Sequence, residues 1–129
     1  MIGSDAYNYI NVLGKAADAS WARSTAITNN IANNDTPNYK RKDVQFESYL
    51  MEALAGGESL DEKVGSVDLT TLNATTYTDH AGTSYRMDGN NVDIDTEEAE
   101  FAKNQLRYYT ITDSITHEFS RIKTVLNVT

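Results

Sequence analysis

Residues 29–40 read Asn29-Asn30-Ile31-Ala32-Asn33-Asn34-Asp35-Thr36-Pro37-Asn38-Tyr39-Lys40, and this stretch decides how the chain is organised. Pro37 disfavours helical backbone at Thr36. Asn33 and Asn34 stand where a helix closes on a left-handed residue, a conformation Asn tolerates better than most. A helix arriving from the N-terminal side therefore stops within a few residues of Asn34.

That helix is expected over residues 7–34. Ile10, Leu13, Ala17, Ser24, Ile27 and Ile31 recur at steps of 3, 4, 7, 3 and 4, with Ser20 in the vacant place. This is a heptad seam. Its central residues Ala17, Ser20 and Ser24 are small, so a partner helix can approach closely while burying little area. Trp21 flanks the seam, and Trp is enriched where subunits meet.

On the other side of Pro37, residues 35–42 read as an extended turn. The second part of the stretch 35–53 reads as a strand or a short helix, and Phe46, Tyr49, Leu50 and Leu54 are spaced for the helix. Ala55-Gly56-Gly57-Glu58-Ser59 is a flexible break, with short extended pieces expected at Val64, Val67, Leu69, Tyr77 and Tyr85. Asp88-Gly89-Asn90-Asn91 signals a turn, followed by a short extended run, Val92-Asp93-Ile94. Asp95 and Glu98 then have capping-box spacing. A second helix is expected from 96 to about 126, with Phe101, Tyr108, Ile111, Ile115, Phe119, Ile122 and Leu126 as its stripe. The expected class is mainly α: long N- and C-terminal helices packed as an antiparallel coiled-coil-like pair, with an irregular middle containing short extended segments. One domain spans 1–129, divided into 1–34, 35–95 and 96–129.

The net charge of −8 weighs against nucleic acid and anionic membrane surfaces. Lys40-Arg41-Lys42 reads instead as a turn that pairs with a neighbour's acids. No run approaches the roughly 20 apolar residues of a spanning helix, and Met1-Ile2-Gly3-Ser4-Asp5 lacks a cleavable leader pattern. With no cysteine, disulfides and thiolate metal sites are excluded. Asp88, Asn90, Asp93 and Asp95 miss the calcium-loop spacing, with Asp93 where Gly belongs and Ala99 where Glu belongs. Glu97, Glu98 and Glu100 read as a solvated helix start. His80 and His117 are isolated, and no phosphate loop or serine elbow occurs. No catalytic residue, cofactor or metal ligand is assigned.

The segment 29–40 resembles the N-terminal signature of the flagellar axial rod and hook family, N-N-I-A-N-x-x-T-P-x-Y-K. The matching residues are Asn29, Asn30, Ile31, Ala32, Asn33, Thr36, Pro37, Tyr39 and Lys40; Asn38 stands where that family commonly has Gly. A second stretch, Tyr85-Arg86-Met87-Asp88-Gly89-Asn90-Asn91-Val92-Asp93-Ile94-Asp95, followed by Glu98, Phe101, Asn104, Leu106 and Tyr108, resembles the approach to the C-terminal helix in proximal rod subunits. The resemblance implies a non-enzymatic subunit, exported without cleavage by the flagellar type III apparatus into the basal body. It also implies helical stacking into a torque-bearing rod. The partners it implies are copies of this chain, other rod subunits and the adaptor joining rod to membrane ring. The expected assembly surface comprises Ile10, Leu13, Ala17, Trp21, Ile27, Asn30, Ile31, Asn33, Tyr108, Ile111, Ile115, Phe119, Ile122 and Leu126. The amides of Asn29, Asn30, Asn33 and Asn34 either finish the helix or bridge subunits; the residues leave both readings open. The competing reading is a coiled-coil adaptor forming a small closed oligomer.

Overall fold

The structure, a computed structural model, describes residues 2–57, 59–80 and 86–127, with side chains from residue 6 onward. Its elements are α1 (Ile2–Ala32), β1 (Lys42–Gln45), α2 (Glu47–Ala53), α3 (Leu60–Gly65), β2 (Thr75–Thr78) and α4 (Ile94–Asn127). Tyr85 lies outside the described residues.

α1 and α4 pack along each other in antiparallel sense. Asn30 bonds Glu97, Ser20 bonds Asn104, and the Trp21 ring meets Tyr108, so one helix descends as the other rises. The expected seam faces α4: Ser20 and Ile27 are buried, and Ile10, Leu13, Ala17, Ser24 and Ile31 are half-buried.

A second stripe on α1 was not expected. Val12, Ala16, Ala19, Arg23, Ala26 and Asn30 follow steps of 4, 3, 4, 3 and 4, and all are buried or half-buried. Ala19 packs with Phe46 and Leu72, surrounded by Ala16, Tyr49, Leu50, Ala53, Val67 and Ala74. The middle segment thus lies against the flank of α1 and supplies a small core. Leu72, 1% exposed, contributes about 1.5–3 kcal/mol by leaving water. Arg23 crosses this contact, donating to the Val44 carbonyl at 2.9 Å and to Glu47 at 2.5 and 2.7 Å.

The middle is more regular than its composition suggests. β1 and β2 pair antiparallel from Lys42↔Thr78 to Gln45↔Thr75. Such a ribbon is marginal alone; here Val44 is buried beneath it. α2 forms where the apolar spacing placed a short helix. Val64, expected in an extended piece, lies in α3 and is buried. That helix starts because Ser59 accepts from the Glu62 amide and Glu62 accepts from the Ser59 amide, a reciprocal cap at the edge of the expected flexible break.

Both long helices begin earlier than expected. α4 starts at Ile94, because Asp93 already caps it: its carboxylate accepts from the amides of Asp95 and Thr96 and from the Thr96 hydroxyl. The Asp95–Glu98 capping box does not form, and Ile94 is helical instead of extended. α1 ends at Ala32. Among the described residues only Asn38 is a non-glycine with positive φ, at 62°, so Asn33 and Asn34 are not left-handed.

Candidate assembly site

The two sequence motifs meet at the end of the helix pair where α1 stops and α4 starts. They form a buried polar clasp. Asn90, 0% exposed, is its centre. Its Nδ2 donates to the carbonyls of Asn33 (2.8 Å), Asn34 (3.0 Å) and Thr36 (2.9 Å), and its Oδ1 accepts from the Val92 amide at 2.7 Å. The carbonyls stranded at the end of α1 are therefore satisfied by a side chain more than fifty residues away. Nearby, the Asn38 amide donates to the Asp88 carbonyl at 2.7 Å, the Asn91 amide to Tyr39, and Lys40 Nζ to Gly89. Arg86 bonds Asn34 and, at 3.0 Å, Asp88.

Asn30 is the second fixed point, also 0% exposed. Its amide brackets the backbone of Lys42, accepting from the amide and donating to the carbonyl, both at 2.8 Å. It also accepts from the Tyr39 hydroxyl and donates to Glu97. Burial first, then the nearby Glu97 carboxylate, raises the Tyr39 hydroxyl above its ordinary pKa. Asn33 folds back on its own helix, donating to the Asn29 carbonyl at 2.8 Å and accepting from Thr36 Oγ1 at 3.0 Å. These asparagines finish the helix and tie it to the chain that follows.

Two charge expectations are corrected. Glu97 is not a solvated residue of the helix start: it is 1% exposed and accepts from Arg41 Nε at 2.6 Å. Arg41 does not wait for a neighbour's acids, for it also bonds Asp79 at 2.8 Å and lies 3.5 Å from Asp43. Burial works against its charge, but the hydrogen bonds to Glu97 and Asp79 outweigh that and hold Arg41 above its ordinary pKa. A helix-start acid and a basic run gave no sign of meeting, because the fold and not the spacing brings them together.

The expected assembly residues separate into three groups. Ile27 is 2% exposed and Asn30 is fully enclosed, so both act inside the chain. Ile10, Leu13, Ala17, Ile31, Asn33, Tyr108, Ile111, Ile115 and Ile122 are half-buried. Trp21 (66%), Phe119 (54%) and Leu126 (69%) face outward. Trp21 leans on Tyr108, ring centroids 6.1 Å apart, above a cavity of about 460 Å³ that also meets Thr25, Thr28, Phe101, Gln105 and Tyr109. Among the described residues no charged one lines it. Of the motif residues, Asn29, Ala32, Thr36 and Pro37 are exposed, Val92 is buried, and Asp93 caps α4. Arg23 and Asn104 are structural residues the periodicity did not mark; Ser20 was marked, as the polar place in an apolar seam.

A mainly helical chain closed by such a clasp, with an uncharged aromatic groove on its helix pair, is built as a structural subunit. Comparison with curated proteins agrees. The chain is 37% identical over 118 residues to the flagellar basal body rod protein FlgB of Bacillus subtilis, covering 91% of this chain and 92% of that one. It is 34% identical over 131 residues to FlgB of Borreliella burgdorferi, covering 93% and 91%. It is 34% identical over 118 residues to FlgB of Salmonella typhimurium, covering 82% and 81%. No family model matches the chain. The chain belongs to the FlgB family of flagellar basal body rod proteins. It is a structural subunit of the flagellar rod, and its place is the basal body. The relatives give no support to the closed adaptor. Among the described residues no helix is long and apolar enough to cross a membrane.

Proposed function

We propose that this chain builds the proximal rod as a single domain whose neighbours pack onto the outer face of the α1–α4 pair, and that the rod so formed carries torque from motor to hook. Its partners on that face are copies of itself, other rod subunits and the adaptor to the membrane ring. The chain reaches them through the flagellar export apparatus and catalyses nothing. The observation that carries this reading is the uncharged groove beside Trp21 in a chain of net charge −8. An aromatic side chain left two-thirds exposed beside Tyr108 is the kind of anchor that interfaces bury. Phe119 and Leu126 extend the same apolar exposure toward the far end of α4.

Trp21→Asp tests it. The variant should keep its helix content and thermal midpoint, because Trp21 covers little of the core, yet cells carrying it should lack rods and fail to swim. Normal motility with Trp21→Asp would exclude this face. Ile27→Asp is a different experiment, since Ile27 lies within the helix pair.

A further inference from the structure

The seam between α1 and α4 consists mostly of apolar side chains spaced by three or four residues. Contact of that kind is non-directional. Sliding α4 by one heptad, roughly 10 Å, would again set apolar side chains against each other. Apolar packing alone selects the faces that meet; it leaves the axial register open.

Asn104 removes that ambiguity. It is 2% exposed and packs on Ser20, which is 1% exposed. Its Nδ2 donates to the Ser20 carbonyl and to the Ser24 hydroxyl, both at 2.7 Å, and its Oδ1 accepts from the Ser20 hydroxyl at 3.0 Å. The places one heptad away along this seam are Leu13 and Ala17 in one direction, Ile27 and Ile31 in the other. In either slipped register the amide would be buried among side chains without a hydrogen-bonding atom. Glu97 stands one heptad before Asn104 and forms a second polar rung, accepting from Asn30 Nδ2 at 3.1 Å and from Arg41 Nε at 2.6 Å. Buried polar pairs are weak evidence of stability and are best attested as register devices.

We infer that Asn104, backed by Glu97, is a positioning residue of the helix pair, acting within the seam as the clasp acts at its end. It sets the register of α4 on α1, and with it the alignment of Trp21 with Tyr108 on the outer face. The consequence for the rod rests on the function proposed above; the register itself does not.

The chain has no cysteine, so Asp18→Cys and Leu106→Cys, both at exposed positions, put one spin label on each helix. Dipolar spectroscopy should then read one narrow interhelical distance. Adding Asn104→Leu should broaden it. Adding Glu97→Leu as well should keep the helix content and displace part of the distribution by roughly one heptad, about 10 Å. A residue that only stabilised the fold would lower the melting midpoint and leave one unshifted distance; that result overturns the inference. If the double variant does not fold, an unchanged width in Asn104→Leu alone overturns it. Normal rods from a variant with a broadened distance would leave the register role standing and remove the assembly face proposed above.

Discussion

Asn38 and Gly89 meet inside the clasp, and each constrains the other. Asn38 holds φ at 62° and Gly89 at 80°. A Cβ on Gly89 would lie 2.5 Å from Asn38 Oδ1. Gly89→Ala therefore combines a left-handed penalty of about 1–2 kcal/mol with a steric one. In urea denaturation it should lower stability by about 2 kcal/mol or more. Asn38→Gly in the same chain should recover part of the loss by removing the side chain that is struck. Strictly additive effects would mean the two residues do not touch. The sequence pointed to Asn38 as a stand-in for glycine, and the turn requires that role of it. The same propensity at Asn33 and Asn34 misled, because a distant amide, Asn90, caps the helix and removes the need for a left-handed residue there.

Individual helices show which patterns sequence can carry. The inner seam of α1 was legible because Ile and Leu mark their own periodicity. The stripe from Val12 to Asn30 was not, since alanine, arginine and asparagine seldom announce a buried face. On α4 the apolar stripe continues toward the C-terminal end of the helix, where Phe119 and Leu126 are exposed. The contact between α1 and α2 adds a pH dependence. The hydrogen bond from Arg23, followed by the opposing effect of burial, leaves Glu47 below the ordinary carboxylate pKa, with Arg107 adding a contact at 3.0 Å. Protons therefore bind Glu47 more weakly in the folded chain than in the unfolded one. Its stabilisation is present in full above the unfolded value near 4.3 and is lost as pH falls through the lower folded value. Glu47→Gln should flatten the acid-side loss of unfolding free energy in denaturant titrations. An unchanged slope would show that the pair contributes nothing. Glu47 is half-exposed, so salt should weaken the effect.

For the whole molecule, the fold separates what holds one subunit from what joins several. Ile27→Asp places a charge in the buried contact between α1 and α4 and should destabilise the chain by roughly 3 kcal/mol or more, read as a fall in thermal midpoint. Retained stability with lost rods would instead make Ile27 part of the outer surface. Self-association should also be open-ended, as a head-to-tail contact that does not close requires. The mass measured by light scattering should rise with concentration without a plateau. A fixed dimer or trimer at every concentration would bring back the closed adaptor.

The amino-acid order alone determined two long amphipathic helices, a stop before Pro37 and a turn at Asp88–Asn91, because periodicity, proline and turn residues act over a few neighbours; kinship with flagellar axial proteins came from the likeness of two motifs. Only the tertiary structure decided that the two motifs interlock, that Glu97 lies buried against Arg41, and that Asn104 sits on Ser20. Those contacts join residues tens of positions apart, and a hydrogen bond across such a distance leaves no periodic trace in the chain that makes it.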